Sequence, residues 1–318
     1  MLYRRDFLRL GATTALAGLR ISTPAAAPAK LLLVHGRDQQ GKDPAALEAE
    51  WLNALRQGAK KLNRTLPANL EVAFPFYGDV LDKFAKQMDI PLSEDVKTRG
   101  ESSVNEEFLA FQGELAEDIR TAAKITDAQV DAEYVPNQKP KGPLNWEWVQ
   151  ATLRALDKHG GGLSAQTLEI FTRDVFLYTR RAGIRDEVDS VVAKSLTEDA
   201  TVVVGHSLGS VVAYSVLRND QRTLRIPSFV TVGSPLAVRA IRDVYRPLRH
   251  PQPVKGWFNA FDKRDVVALY ALDNENFPIR PSIRNVDNVR NATSNRHGIS
   301  GYLDDAGVAK EILDALGV

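Results

Sequence analysis

The sequence contains no cysteine, and this absence excludes several kinds of chemistry together. A chain without thiols forms no disulfide, binds no metal through thiolates and has no cysteine nucleophile. An excess of one charge is missing as well, because 41 Lys and Arg residues oppose 40 Asp and Glu residues. Nucleic-acid-binding domains normally carry a strongly basic face. The charge balance therefore gives no indication of a nucleic-acid partner.

Long hydrophobic runs are also missing. The apolar stretch near the N-terminus covers residues 10–19, whereas a membrane-spanning helix needs about 20 apolar residues. We therefore expect no stable transmembrane segment in the mature chain. The 318 residues are 44% hydrophobic and 25% charged, which is typical of a globular protein with one large domain.

The first 29 residues have the order of regions that is typical of an export signal. Arg4 and Arg5 are followed by Asp6, then by Phe-Leu and a basic residue, a pattern that resembles the twin-arginine signal. An apolar stretch and an Ala- and Pro-rich stretch follow, with small residues that resemble a signal-peptidase site after Ala27 or Ala29. We therefore expect the export machinery to deliver a bacterial protein to the periplasm or the medium. A frayed helix of a cytoplasmic protein and a retained membrane anchor are the alternatives.

Beyond this segment, apolar runs alternate with helical patterns. Residues 31–34 form a continuous apolar run, which fits a strand buried on both faces. Residues 43–62 are predicted to be a helix and residues 70–74 a second strand, and this β-α-β order favours a parallel sheet flanked by helices. Further signals predict a helical region at 165–196, strands at 201–204, 229–232 and 257–261, and a closing helix at 308–316.

The first predicted helix has clear signals at its start and along one face. Asp43 is a candidate N-cap, and Pro44 suits the first helical position. Apolar residues recur every four positions, as expected for a buried stripe. The stripe consists of Leu47, Trp51, Leu55 and Ala59.

Residues from about 80 to 165 are rich in charge and contain no clear strand signal. Residues 136–143 predict a turn or linker and residues 160–162 a flexible break. We interpret the segment as a mostly helical insertion that forms a cap or lid, since insertions of this length tend to be functional. Trp146 and Trp148 lie within it. They either form an interfacial or substrate-facing patch or pack the cap onto the core.

The strongest motif is Gly-His-Ser-Leu-Gly at residues 205–209, which matches G-x-S-x-G. A β-branched strand precedes it and a helix-forming segment follows, which is the setting of a nucleophile elbow. A serine there sits at a strained turn, and side chains at Gly205 and Gly209 would collide at that turn. Ser207 is the candidate nucleophile, and the backbone N–H of Leu208 would bind an oxyanion. An ordinary glycine-rich turn between strand and helix is the alternative.

The stretch VVVGHSLGS at residues 202–210 resembles the elbow of lipases and esterases of the α/β-hydrolase superfamily. The resemblance covers most of residues 30–318 in motif order, but it does not extend to the insertion. It implies an α/β-hydrolase fold, a mostly parallel sheet flanked by helices, with a helical cap insertion. It also implies a triad in the chain order serine, acid, histidine, and no metal or organic cofactor.

A serine hydroxyl needs a general base, and the sequence has five histidines to supply one. His35 and His159 precede the serine, and His206 is expected to point away within the elbow. The superfamily order leaves His250 and His297. His250 lies in a proline-rich loop, whereas the loop of His297 before the final helix resembles the catalytic-histidine loop. His297 is therefore the implied base, with a surface loop histidine as the alternative.

The acid is expected after the predicted strand 257–261, where Asp262 and Asp265 both stand. In similar hydrolases the acid directly precedes a small apolar pair, which implies Asp265. Asp262 is the alternative, and it could instead cap the turn. The acid would orient the imidazole and stabilise the imidazolium that forms.

The oxyanion site is implied by the segment after the first strand. His35 and Gly36 resemble the HG oxyanion loop of the superfamily, and Arg37 would supply the second N–H beside that of Leu208. Gly36 would let the backbone approach the substrate closely. Ser234 is a poor alternative nucleophile, because the following proline interrupts the backbone N–H pattern.

These residues predict a serine hydrolase that cleaves carboxylic esters, from small molecules or lipids, through an acyl-enzyme. The same triad also serves peptidases, amidases, thioesterases and acyltransferases, so the motif does not name the substrate. A binding protein on an inactive hydrolase fold is the alternative of a different class.

Overall fold

The computed structural model describes residues 29–37, 39–99, 105–135, 140–159, 164–268 and 270–318. The predicted signal peptide therefore lies outside the described residues, except for Ala29. The break predicted at 160–162 and half of the turn predicted at 136–143 also lie outside them.

Six strands form one sheet, and each neighbouring pair is parallel. The spatial order is β2-β1-β3-β4-β5-β6. The arrangement, with helices on both faces, confirms the predicted α/β class and parallel sheet. The strands are β1 (Lys30–Val34), β2 (Val72–Ala73), β3 (Thr201–His206), β4 (Phe229–Val232), β5 (Trp257–Ala260) and β6 (Arg284–Val286).

Successive side chains of the central strands enter different cores. Leu31 and Leu33 pack into the core beneath one face of the sheet, whereas Leu32 and Val34 pack into the core on the other face. This alternation follows from the two-residue period of a strand. Because both faces are covered, β1 and β3 each contain a continuous apolar run, at residues 31–34 and 202–204.

The helices divide between these two faces. One core includes α1, α11 and α12, and the other includes α9 and most of the helices that connect β2 to β3. The helices are α1 (Pro44–Lys60), α2 (Gly78–Gln87), α3 (Ser93–Arg99), α4 (Glu106–Ala122), α5 (Asp127–Asp131), α6 (Trp146–His159), α7 (Ala165–Arg180), α8 (Ala182–Ala193), α9 (Leu208–Asn219), α10 (Arg239–Arg242), α11 (Ile299–Leu303) and α12 (Ala306–Leu316).

Helix α1 begins where its sequence predicts. The side chain of Asp43 accepts a hydrogen bond from the Ala45 N–H at 3.0 Å, which satisfies one of the free N–H groups of the first turn. Pro44 occupies the first helical position. All four residues of the predicted apolar stripe are buried, so the N-cap and the buried face are both confirmed.

The connection between β2 and β3 is helical in its described part, as the sequence predicts, and contains no strand there. Most of its apolar residues join the core that covers the sheet. Trp146 is buried in a smaller cluster with Leu109 and Val149, and Trp148 packs against it half-buried. The two tryptophans therefore contribute to packing within the helical layer.

Both edge strands differ from the sequence prediction. The strand predicted at 70–74 is reduced to the two residues of β2, and β6 was not predicted at all. The segment Arg284–Val286 has only one apolar residue and none of its residues is buried. Edge strands have one neighbour and little apolar burial, so they leave a weak hydrophobic pattern in the sequence.

The chain order places a crevice beside β1. After β1 the chain forms β2 on one side of it, and β3 then lies on the other side. In open parallel sheets, ligands bind outside the carboxyl ends of the strands at such a reversal of strand order. The residues that directly follow β1 are His35-Gly36-Arg37, and the residue that directly follows β3 is Ser207, so they meet at this edge.

Candidate active site

Ser207 lies between the last residue of β3 and the first residue of α9. Its φ is 53° and its ψ is −130°, a combination that costs a non-glycine residue about 1–3 kcal/mol. Its N–H donates to the Val232 carbonyl at 3.1 Å, which ties the turn to β4. The sharp turn presents the hydroxyl at the carboxyl edge of the sheet, and the residue is only 2% exposed.

The two glycines of the motif are required by close backbone contacts. A Cβ atom on Gly205 would lie 2.7 Å from the Cα of Ser210 in the first turn of α9. A Cβ atom on Gly209 would collide with the carbonyl oxygens of Val34 and His35 at the end of β1. Such close approaches leave room only for hydrogen at these positions. The G-x-S-x-G spacing therefore lets α9 pack directly against β3 and β1.

His297 connects Ser207 to Asp265. Its Nε2 lies 2.8 Å from Ser207 Oγ, and its Nδ1 lies 2.7 Å from Asp265 Oδ2. Because an ionised carboxylate only accepts hydrogen bonds, Nδ1 carries the proton of a neutral imidazole and Nε2 has the lone pair. The serine hydroxyl can then donate to Nε2. This arrangement can remove the hydroxyl proton as the oxygen attacks an electrophile.

Asp265 is fully buried, and its carboxylate accepts three hydrogen bonds. The Val267 N–H donates to Oδ1 at 2.9 Å. The Tyr302 hydroxyl donates to Oδ2 at 2.6 Å, beside the bond from His297. Tyr302 was not predicted from the sequence, because nothing local connects a tyrosine in α11 to an acid 37 positions earlier.

Asp262, the alternative acid, has other partners. Its carboxylate accepts hydrogen bonds from the Arg264 side chain at 2.6 Å and from the Asn291 N–H at 2.9 Å. Burial raises the pKa of Asp262, but these hydrogen bonds lower it by more, so the pKa lies below its usual value. Asp262 thus ties the turn after β5 to the chain after β6, and Asp265 is the acid that reaches His297.

His206 lies beside His297, a contact that the motif did not predict. Its Nε2 lies 2.7 Å from the His297 carbonyl, to which it donates, and the two rings are 4.8 Å apart. Burial first, and then the nearby His297 and His35, hold the pKa of His206 well below its usual value. A neutral His206 therefore supports the backbone of His297. Of the remaining histidines, His250 bonds to the Pro251 carbonyl at 3.1 Å, and His159 ends α6.

The segment after β1 lies against the serine. A Cβ atom on Gly36 would be 3.0 Å from the Cβ of Ser207, and both Gly36 and Arg37 line the same cavity as Ser207. The Arg37 side chain is paired with Asp174 of α7, with Nε 3.3 Å from Oδ2. The N–H of Leu208 belongs to the first turn of α9, where N–H groups have no partner within the helix and the helix dipole is positive.

A cavity of about 250 Å³ opens in front of Ser207 and His297. Trp51 of α1 and Phe171 of α7 form apolar parts of its wall, and Lys42 is a charged residue in the lining. Among the described residues, none from the predicted insertion at 80–165 lines this cavity. Its helical walls are instead α1, α7 and α11, and α7 begins at the end of that segment.

The described residues contain no group of three or more His, Asp or Glu side chains arranged to hold a metal ion. They also contain no helix with the length and apolar character needed to cross a bilayer. Comparison of the chain with models of protein families, with curated proteins and with solved structures finds no match.

Proposed function

We propose that the protein is a serine hydrolase of the α/β-hydrolase fold that cleaves carboxylic esters through an acyl-enzyme. The observation that carries the proposal is the continuous chain of contacts Ser207–His297–Asp265, with distances of 2.8 and 2.7 Å. Three side chains that are distant in sequence meet with the geometry that a hydroxyl nucleophile requires. They do so at the sheet edge where parallel α/β proteins bind ligands.

In the proposed reaction, His297 Nε2 takes the proton of Ser207 as its oxygen attacks the ester carbonyl. The N–H groups of Leu208 and Arg37 stabilise the negative oxygen of the tetrahedral intermediate. The bond to the alcohol breaks while His297 returns the proton to the leaving oxygen. Water then attacks the acyl-enzyme by the same proton transfers and releases the acid. Asp265 stays ionised and stabilises the imidazolium.

The cavity supports a small ester more than a long lipid chain. Its volume of about 250 Å³ is below the range of about 300–1,000 Å³ for pockets that enclose drug-sized ligands. Polar groups such as Lys42 and Glu50 share the lining with apolar walls. The triad alone does not distinguish esters from amides or thioesters, so the substrate range has to be measured.

Two further expectations belong to the same proposal. Residues 1–29 act as a twin-arginine-type signal that delivers the protein to the periplasm or beyond. The helical segment at about 80–165 acts as a cap on the hydrolase domain of residues 30–318. Its helices pack onto one face of the sheet, and its described residues do not line the cavity in front of Ser207, so the proposed cap covers the sheet and not the mouth of that cavity.

The proposal is tested by assaying the purified full-length protein on p-nitrophenyl esters from acetate to palmitate. We expect turnover to be highest with short acyl chains and to be abolished by Ser207→Ala. A fluorophosphonate should label the wild-type protein and not this variant.

Ser234→Ala is the matched control, because Ser234 is equally buried and bonds to Ser210 instead of His297. This variant should keep both turnover and labelling. An absence of turnover on every ester, together with an unlabelled Ser207, would overturn the proposal in favour of a binding protein on an inactive fold.

A further inference from the structure

His35, the residue after β1, makes two hydrogen bonds through its ring. Nδ1 lies 2.6 Å from the carbonyl oxygen of Gly36, and Nε2 lies 3.1 Å from the N–H of Tyr77. The Tyr77 hydroxyl also donates to the His35 carbonyl. The ring is 1% exposed and does not line the cavity in front of Ser207. Both ring nitrogens of His35 therefore bond to backbone groups, the Gly36 carbonyl and the Tyr77 N–H.

These partners define the state of the ring. A carbonyl only accepts a hydrogen bond and a backbone N–H only donates one, so Nδ1 carries the proton and Nε2 has the lone pair. Both bonds exist together only in the neutral form. Burial lowers the pKa of His35 to about 4, so the neutral ring is the form present at neutral pH.

The bond to Gly36 determines how the next peptide is oriented. In a trans peptide the C=O and N–H groups point in opposite directions. The Gly36 carbonyl is held towards the His35 ring, so the N–H of Arg37 points away from that ring. Gly36 itself lies against Ser207, and the Arg37 side chain is anchored to Asp174. The segment is therefore held on both sides of this peptide.

We propose that His35 is a positioning residue that aims the Arg37 N–H at the oxyanion of the reaction. The inference rests on the proposed ester hydrolysis. His35 touches no substrate and acts only through the Gly36–Arg37 peptide. Its loss should lower kcat more than it raises KM, because an oxyanion donor acts chiefly in the transition state.

Packing is the competing role, since the ring of His35 stacks on Tyr77 with centroids 4.0 Å apart and also contacts Phe74 and Phe76. His35→Phe keeps an aromatic ring and loses both hydrogen bonds. His35→Asn places an amide nitrogen near the position of Nδ1, and His35→Gln places an amide oxygen near the position of Nε2. The Asn and Gln variants therefore separate the bond to Gly36 from the bond to Tyr77.

The experiment measures kcat and KM on p-nitrophenyl acetate, and the inhibition constant of a trifluoromethyl ketone that forms a charged hemiketal on serine. We expect His35→Phe to lower kcat about 100-fold, within the range seen when one oxyanion donor is lost. Its KM should change less than about threefold. Binding of the ketone should weaken in parallel with kcat. His35→Asn should recover most of the loss, and His35→Gln should not.

The matched control is His250→Phe, because His250 also bonds through Nδ1 to the carbonyl of the next residue but lies outside the cavity. It should keep the wild-type kcat. If His35→Phe does not fold, as judged by its circular dichroism, the Asn and Gln pair carries the test.

Equal kcat values for the Asn and Gln variants, or a His35→Phe variant with unchanged kcat, would overturn the positioning role. That result leaves ester hydrolysis intact as long as Ser207→Ala abolishes wild-type turnover. Absence of wild-type turnover overturns both proposals.

Discussion

Tyr302 and His297 donate to the same oxygen of Asp265, at 2.6 and 2.7 Å. Burial first, and then the charge of Asp265, raise the pKa of Tyr302 above its ordinary value, so the hydroxyl stays protonated and remains a donor. The carboxylate is thereby held in the orientation that places it opposite the imidazole. Tyr302 thus completes a site whose other members are Ser207, His297 and Asp265.

Replacing Tyr302 tests whether this bond orients Asp265. Tyr302→Phe should lower kcat on p-nitrophenyl acetate about tenfold, which corresponds to about 1.4 kcal/mol, because the carboxylate can then rotate away from His297. The matched control is Tyr178→Phe, since Tyr178 donates to the carboxylate of Asp189 in the helical layer. Tyr178→Phe should leave kcat near the wild-type value. A loss of stability in both variants with no loss of kcat in either would contradict the prediction.

The two acids after β5 should respond differently to loss of charge. Asp265→Asn should lower kcat about 10⁴-fold, as expected when the acid no longer selects the correct imidazole tautomer. Asp262→Asn should leave kcat within a few-fold. It should instead lower the free energy of unfolding by about 1–3 kcal/mol, because the amide keeps only one of the two oxygens that accept from Arg264 and from the buried Asn291 N–H, and its NH2 group opposes a donor. Steady-state kinetics and urea denaturation of both variants check this, and the reverse ranking in kcat would exchange the roles of the two acids.

Gly233 has a φ of +58° and lies against the site. An added Cβ would be 3.0 Å from Tyr302 Cε2, 3.3 Å from Asp265 Oδ2 and 3.3 Å from His297 Cε1. Gly233→Ala should therefore displace these side chains and lower kcat more than about tenfold, which corresponds to an activation barrier raised by more than about 1.4 kcal/mol.

The control for Gly233→Ala is Gly317→Ala, where φ is +77° and no atom lies within 4 Å of the added Cβ. The free energy of unfolding of that variant should fall by only about 1–2 kcal/mol, because a left-handed backbone conformation is unfavourable for alanine. Its kcat should not change. Equal kcat values in the two glycine variants would contradict the prediction, because they would show that an added Cβ at Gly233 does not disturb the side chains of the active site.

Asp189 in α8 predicts a pH dependence of stability. Burial is the main reason that its pKa is raised to about 6, although the Tyr178 and Ser215 hydroxyls donate to it. The folded state binds the proton of Asp189 more tightly than the unfolded chain does. Protonation of Asp189 therefore stabilises the folded state below about pH 4, and this stabilisation is lost as the pH rises through about 6. The difference from about 3.9 in an unfolded chain corresponds to about 3 kcal/mol.

Asp189→Asn should remove this part of the pH dependence. Relative to the variant, the wild-type protein should lose up to about 3 kcal/mol of unfolding free energy between pH 4 and pH 8. Glu187→Gln is the control, because Glu187 is exposed on the same helix, and it should show the wild-type slope. Urea denaturation across this pH range provides the measurement, and parallel curves for the wild type and Asp189→Asn would contradict the prediction.

The paired arginines predict the route of export. In a bacterial host, the double substitution Arg4→Lys and Arg5→Lys should retain the protein in the cytoplasm, because such signals are recognised by a receptor. Arg9→Lys should be exported like the wild type. Cell fractionation and the mass of the mature N-terminus, expected after Ala27 or Ala29, provide the measurement. Equal fractionation of the two substituted proteins would contradict a twin-arginine signal.

Much of the architecture follows from local sequence. Helix α1 and the strands β1, β3, β4 and β5 were predicted close to their observed bounds, because each has a strong apolar pattern and clear ends. The edge strand β6 was missed because it buries little apolar surface. Ser207, Asp265 and His297 were also predicted, from the G-x-S-x-G motif and from the order of serine, acid and histidine along the chain. The contacts between them were not predicted.

The sequence by itself determined the residue types, the alternation of helices and buried strands, and the position of a serine between a strand and a helix. Only the tertiary structure decided which acid meets His297, that Tyr302 shares the carboxylate, and that His35 and Asp174 hold the segment next to Ser207. These contacts join residues 32 to 137 positions apart. Hydrophobic periodicity reports only the local environment of each segment. Contacts between distant side chains are instead determined by the way the layers pack around one sheet.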